Sequence, residues 1–149
     1  ASRVREALFN MLGNQLGGAS VLDATGGSGI LAFEAASRGA EPVLVHDKDR
    51  RVVGRLRAAV AHLGFEGVVE ARWGDSLRPP KLERSFTIVL ADPPYAHELE
   101  PWVEVLLPQA LEVLVLEHAS DKPAPAAPDG VSLSTRRYGG TALSFYRRI

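Results

Sequence analysis

Asp92-Pro93-Pro94-Tyr95 follows directly on the β-forming run Ile88-Val89-Leu90-Ala91. Two successive prolines remove two backbone donors, fix two φ angles and push the residue before each into an extended conformation. A carboxylate and a phenol ring are therefore held rigidly just past a buried strand. That arrangement suits a planar ring with an exocyclic amine. The Asp92 carboxylate and the Pro93 carbonyl, which has no neighbouring N–H at Pro94, can accept the two amine protons. Tyr95 can stack on the ring, worth roughly 1–3 kcal/mol per base. An amine held this way aims its lone pair at an electrophile. The chemistry is then methyl transfer by displacement, helped by positioning and electrostatics, with no need of a metal or a strong base. The plain alternative is a rigid turn with a half-buried tyrosine.

A second constellation lies earlier in the chain. Gly27-Ser28-Gly29-Ile30-Leu31-Ala32 fits G-x-G-x-x-A after a strand and at the opening of a helix. Glycines there allow a tight turn and let a ligand approach the backbone and the helix N-terminus. Asp47, 18 residues after Gly29, ends the next strand where an acid reaches a ribose hydroxyl. The pattern predicts a nucleoside cofactor. Asp23, ahead of the glycines, would repel a pyrophosphate but suits a cofactor with an ammonium and a sulfonium. Asp75 in "WGDS" is placed to hold an exocyclic adenine amine. The competing reading is a structural turn with acids that cap helices.

The surrounding elements put these residues on one edge of a sheet. Val4, Leu8, Phe9 and Leu12 recur at helical spacing, which predicts an opening helix over 2–12 stopped by Gly13. Strand and helix then alternate: strands in "SVLD", "PVLVHD", "GVVEARWGD", "FTIVLAD" and "EVLVLEH", with helices in "ILAFEAASRGA", "RRVVGRLRAAVAHLG" and "LEPWVEVLL". In the second of these helices Val53, Leu56, Val60 and Leu63 are expected to face inward, with Gly64 as the stop. Alternation predicts an α/β fold, a parallel sheet with helices on both faces. A proline-rich loop and two strands joined at Gly139-Gly140 then predict a closing β-hairpin. Three acids ending three successive strands fall on the edge where open α/β sheets bind ligands.

The chain has 149 residues, 46% hydrophobic and 23% charged, with a net charge of −1. That length predicts a single domain, 1–149, with a cofactor half over about 20–76 and a target-base half over about 85–149. Having no cysteine excludes a disulfide scaffold, a thiolate metal site and a cysteine nucleophile. No apolar run reaches ~18 residues and no signal-peptide pattern is present, so a cytoplasmic protein without a membrane partner is expected. His46, His62, His97 and His118 lack metal-ligand spacing, and no metal is expected. Trp73 and Trp102 read as packing residues. Arginine clusters at 50–57, 136–137 and 147–148 read as solvated faces.

"LDATGGSG", "VHDKD", "GDS" and "ADPPY" resemble the motifs of class I S-adenosylmethionine-dependent methyltransferases that act on amines. With "RVREALFNML", "SGILAFEAASRGA", "DKDRR", "LEH" and "RRYGGTALSFYRR", the chain is similar to the RsmD-type guanine-N2 methyltransferases of small-subunit (16S) ribosomal RNA. The resemblance implies a Rossmann-like sheet of seven strands, one of them antiparallel in the closing hairpin. It implies S-adenosyl-L-methionine as cofactor and ribosomal RNA, or the assembling small subunit, as partner of a monomer. Asp23, Gly27 and Gly29 would line its methionine end and Asp47 its ribose, with Thr25, Gly26 and Lys48 in the same loops. Asp75 and Ser76 would hold its adenine. Asp92, Pro93, Pro94 and Tyr95 would hold and stack a guanine flipped from its helix. Arg3, Arg5 and Asn10 of the opening helix would lie over the cofactor or the RNA entrance.

Two departures from the family pattern bear on this. A bulky apolar residue and an alanine are usual where this chain has Thr25 and Gly26, and a glutamate is usual at Asp47. A basic segment ahead of the first helix is also usual, and the chain is expected to lack it. The rivals are a DNA adenine-N6 methyltransferase, an NAD-dependent oxidoreductase with the same glycine loop, and a non-catalytic RNA-binding assembly factor with a vestigial pocket.

Overall fold

In a computed structural model, residues 2–78 and 85–149 are described. Strands β1 (Val21–Asp23), β2 (Val43–Asp47), β3 (Val69–Trp73), β4 (Phe86–Ala91), β5 (Ala110–Ala119), β6 (Val131–Tyr138) and β7 (Thr141–Arg148) form one sheet. Their order is β3-β2-β1-β4-β5-β7-β6. The first five are parallel, and β7 runs antiparallel to both β5 and β6. This is the expected seven-stranded sheet with one antiparallel strand in a C-terminal hairpin.

Strict alternation along the strands gives the sheet two apolar faces. Val21, Val43, Val45, Ile88, Leu90, Val113, Val115 and Phe145 point to one side, packed with residues of α1 (Ser2–Leu12), α2 (Ile30–Ser37) and α3 (Arg50–Leu63). Leu22, Leu44, Val89, Ala91, Leu114, Leu116 and Tyr146 point to the other, against Trp102, Val103 and Leu106 of α4 (Glu100–Leu106). Val4, Leu8, Phe9 and Leu12 are buried as their spacing predicts, with Leu8 and Phe9 at 2% and 0% exposure.

Helix α3 corrects one expectation. Val53, Leu56 and Val60 are buried, but Leu63 is 51% exposed, because the last turn runs past the end of the sheet face it covers. Gly64 then stops the helix in the left-handed conformation, φ 76°, as expected. The helix starts on Asp49, whose side chain accepts from the Arg51 N–H at 2.8 Å.

The proline-rich loop after β5 is fixed rather than loosely draped. The buried Tyr146 side chain donates its hydroxyl to the Pro125 carbonyl at 2.6 Å. Arginines at the end of β7 also have structural partners. Arg148 donates to the Ala110 and Leu107 carbonyls, and Arg147 to the Gln15 side chain.

Candidate active site

Strand order reverses between β1 and β4, so a crevice opens where their carboxyl ends part. β1 ends in Asp23, and β4 runs straight into Asp92. Asp23 is fully buried. Its Oδ1 accepts the N–H groups of Thr25 (3.2 Å) and Gly26 (3.1 Å), while Oδ2 is buried with no partner among the described residues. The carboxyl is pushed from 3.8 up to about 7, chiefly by burial; the N–H groups of Thr25 and Gly26, and that of Ala32 nearby, oppose this and the Asp92 charge adds to it.

Two clefts meet at this point. One, of about 270 Å³, is lined by Thr25, Asp47, Lys48, Asp75, Ser76 and Asp92 among others. The second, of about 210 Å³, is lined by Asp92, Pro93, Pro94, Tyr95, Glu117 and Lys122 among others. Asp92 and Pro94 belong to both. Thr25, Asp47, Lys48, Asp75, Ser76 and Asp92, all singled out for the cofactor, thus border the first cleft, while Asp23, Gly26, Gly27 and Gly29 lie outside its lining; the whole of the proline turn borders the second.

The glycine loop is shaped by steric necessity at Gly26. Its φ is +55°, and a Cβ there would sit 2.5 Å from the His46 carbonyl oxygen and 2.7 Å from Asp47 Oδ2. The alanine usual in similar sequences does not fit this loop. Gly27 is also left-handed, at φ +71°, but a Cβ there would meet nothing. Gly26→Ala should therefore lower stability by more than the roughly 1–2 kcal/mol that left-handed backbone alone costs an L-residue. Gly27→Ala should cost only that strain. Thermal melts of the two variants side by side check the difference; equal losses would contradict the close approach at Gly26.

Asp47 is one methylene shorter than glutamate and folds back onto the loop. Its Oδ2 accepts from the Gly27 N–H at 3.0 Å and its Oδ1 from the Asp49 N–H at 2.8 Å. Each oxygen keeps a lone pair for a hydroxyl donor. Asp75 is exposed and accepts from its own turn, the Leu77 N–H, at 3.0 Å. Ser76 is buried and donates its hydroxyl to the Ala24 carbonyl at 2.6 Å, which straps the β3 loop to the end of β1. It has lone pairs, not a proton, to offer a ligand. Lys48 is exposed at the cleft, and its carbonyl accepts from the Trp73 indole at 2.9 Å.

In the proline turn, the Pro94 carbonyl accepts from the His97 N–H at 2.9 Å, whereas the Pro93 carbonyl accepts nothing from the described residues. Tyr95 is 72% exposed, a ring free to stack. Asp92 is exposed at the cleft mouth, and loss of solvent around its carboxyl raises it above the ordinary aspartate value.

Two contributors, Lys122 and Glu117, were not legible beforehand as part of the site, and Thr25, expected in the cofactor loop, has a further role. Thr25 Oγ1 accepts the Asp92 N–H at 2.9 Å, which bridges the two loops. Lys122, from the proline-rich loop, donates to the Tyr95 carbonyl (2.6 Å) and the His97 carbonyl (2.7 Å), and its ammonium lies 5.6 Å from the Tyr95 ring centroid. Glu117 lies near the end of β5 beside Asp92, its carboxyl raised by burial first and the Asp92 charge second. The run "VLVLEH" already carried Glu117 to the sheet edge; nothing in sequence could have paired Lys122 with the proline turn.

The histidines and tryptophans play other parts. His118 is buried, with Nδ1 by the Ala119 carbonyl at 3.0 Å and Nε2 by the Ser144 hydroxyl at 2.7 Å. His97 packs on Trp102 with ring centroids 6.0 Å apart. Trp102 is buried, whereas Trp73 is half-exposed at the sheet edge under the Arg50 guanidinium, 3.9 Å from its centroid. No group of His, Cys, Asp or Glu among the described residues could hold a metal ion, and no described helix is long and apolar enough to cross a membrane.

Residues 1–147 match the family model described as Conserved hypothetical protein 95. The ribosomal RNA small subunit methyltransferase D of Haemophilus influenzae is 30% identical over 156 residues, covering 97% of this chain and 80% of that protein. The solved structure of yhhF from Escherichia coli aligns with a TM-score of 0.87 at 29% identity, covering 98% of this chain and 84% of that one. Magnesium protoporphyrin IX methyltransferase (ChlM) from Synechocystis, solved with bound SAM, aligns with a TM-score of 0.77 at 20% identity, covering 99% and 79%. At that identity the likeness is one of fold.

Proposed function

Because this chain belongs to the Conserved hypothetical protein 95 family, we infer that it is a methyltransferase that moves a methyl group from S-adenosyl-L-methionine to the N2 amine of a guanine in small-subunit ribosomal RNA, in the cytoplasm. The observation that carries this reading is the meeting of two clefts at Asp92 and Pro94, one bordered by Thr25 and the acids Asp47 and Asp75, the other by the proline turn and Tyr95. The relative in Haemophilus influenzae is named as a ribosomal RNA small subunit methyltransferase.

The residues present fit the cofactor. A fully buried carboxylate oxygen with no partner among the described residues, Asp23 Oδ2, wants a cationic donor, and the ammonium of S-adenosylmethionine is one. Asp47 has lone pairs left for ribose hydroxyls, and Asp75 for an adenine amine. The bound cofactor supplies an electrophilic methyl carbon on a sulfonium and leaves as the neutral thioether.

The chain's own residues do the rest by placement. Pro93 and Asp92 accept the two amine protons, so the nitrogen lone pair points out of the base plane towards the first cleft. Tyr95 holds the base flat, and Lys122 holds Tyr95 by its carbonyl. Once the nitrogen carries the methyl group it is cationic, and Asp92 is the acceptor for the proton it must shed. The raised carboxyl of Asp92 makes that acceptance easier than at an ordinary aspartate.

Thr25 keeps the two clefts in register through its bond to the Asp92 N–H. Thr25→Val, similar in shape and without the hydroxyl, should leave S-adenosylhomocysteine affinity within about threefold. It should lower kcat roughly tenfold, the equivalent of one net hydrogen bond. Thr25→Ser should recover most of it. A loss of affinity with kcat unchanged would assign Thr25 to cofactor binding alone.

The function itself is tested by incubating the chain with methyl-labelled S-adenosylmethionine and either undermodified small subunits or DNA, then digesting to nucleosides. Label in N2-methylguanosine from RNA is expected. Label in DNA alone, or in no nucleic acid, would overturn the reading.

A further inference from the structure

Adenine, cytosine and guanine all carry an exocyclic amine, and the contacts at Asp92 and Pro93 do not distinguish them. The distinction must come from whatever faces the ring atom next to the amine. Ala91 pairs with Leu116 in the β4–β5 ladder, so the next residues on the two strands, Asp92 and Glu117, are cross-strand neighbours. Alternation puts both on the face shared by Leu90 and Val115. Both border the 210 Å³ cleft.

The two basic groups of that cleft are already engaged, and Tyr95 offers its ring face for stacking. Both ring nitrogens of His118 have partners, and Lys122 gives two of its three protons to backbone carbonyls. The Glu117 carboxylate takes no hydrogen bond from any described residue, although it is partly buried next to a like charge. A carboxylate in that position is costly unless a donor meets it.

We propose that Glu117 reads the ring position beside the amine and thereby selects guanine over adenine and cytosine. In guanine the amine is flanked by N1–H, a donor that a carboxylate can accept from. In adenine and cytosine the corresponding ring nitrogen is an acceptor, whose lone pair would face the Glu117 oxygens. Asp92 and Glu117 then take adjacent protons, from N2 and N1, and only guanine offers both. Each base with a lone pair there leaves Glu117 unpaired and repelled, and such mismatches are what make polar sites discriminate strongly. This rests on the reading that the cleft holds an amine-bearing base against Asp92.

The test uses small subunits reconstituted with RNA that carries either guanine or 2-aminopurine at the position mapped by nucleoside digestion. 2-Aminopurine keeps the amine and replaces N1–H by a lone pair. The wild-type chain should prefer guanine by roughly tenfold to a hundredfold in kcat/KM, as expected for a hydrogen bond to a charged group. Glu117→Gln can turn either its carbonyl or its amide N–H to the base, and should bring the ratio to within about threefold of one. S-adenosylhomocysteine affinity should not change in the variant, which separates loss of base reading from loss of fold. A wild-type ratio near one, or a ratio that survives Glu117→Gln, would overturn the role of Glu117 while leaving the methyltransferase reading intact. Failure of any guanine N2 to be methylated in the mapping step would overturn that reading itself, and this inference with it.

Discussion

Asp92→Ala is expected to lower methyl transfer by about 10²–10³-fold while S-adenosylhomocysteine still binds, the scale on which removal of one positioned polar contact to a reacting centre usually falls. The substitution is unusually clean here. Pro93 and Pro94 keep the turn extended whatever precedes them, and Thr25 holds the Asp92 backbone N–H, which alanine also has. What leaves is the carboxylate, and with it one of the two acceptors for the amine and the acceptor for the departing proton. Its charge also raises the carboxyls of Asp23 and Glu117, so both should ionise more readily in the variant. Cofactor affinity at neutral pH should therefore hold or improve slightly as kcat falls. Single-turnover transfer and calorimetric titration, run on the same preparation, measure the two separately. Full transfer by the variant would remove Asp92 from the chemistry and favour a different amine acceptor. Weakened cofactor binding with unchanged kcat would move Asp92 wholly into the first cleft.

Much of this site was readable because it is written in residues with few uses. Proline at 93 and 94 restricts the backbone whatever surrounds it, and three acids at strand ends are placed by the period of two in the strands before them. The seven strands and the closing hairpin followed from alternation and the Gly139-Gly140 turn for the same reason; that β7, not β6, pairs with β5 did not. The unread parts depend on distances between segments far apart in the chain. Lys122 meets Tyr95 because the proline-rich loop is pinned by Tyr146, and neither contact has a signature in spacing. Thr25 stood out only as a departure from the family pattern in the cofactor loop; its hydroxyl also joins the end of β1 to the end of β4, 67 residues away. Leu63 fitted the helical period but not the extent of the sheet, which periodicity alone does not reveal. Ser76 sits where an adenine contact was expected, yet its proton is committed to Ala24.

Without ligand, the chain should become less stable as pH rises from about 4 to about 7, and Asp23 is the main reason. Its carboxyl ionises near 3.8 in an unfolded chain and near 7 in the folded one. Below 3.8 both states hold the proton and nothing is lost. Between the two values the unfolded state releases it and the folded state does not, so unfolding is increasingly favoured. A difference of this size amounts to roughly 4 kcal/mol by the time pH 7 is passed. The raised carboxyls of Asp92 and Glu117 act in the same direction. His46 and His118, held below the usual 6.5 mainly by burial, act in the opposite direction as pH falls through 6.5. The contribution of Asp23 is therefore read as the difference between the wild-type chain and Asp23→Asn, whose side chain does not titrate. That difference should grow in favour of the variant up to about pH 7 and then level off. The ligand should reverse the sign. An ammonium paired with ionised Asp23 draws its pKa down, so S-adenosylhomocysteine should bind progressively more weakly below pH 7, by up to about tenfold per pH unit. Binding near pH 6 should release a proton, visible as a dependence of calorimetric heat on the buffer used. Affinity that is flat between pH 5.5 and 8, with no proton released, would mean that Asp23 does not meet the ammonium and that the orphaned oxygen serves the fold alone.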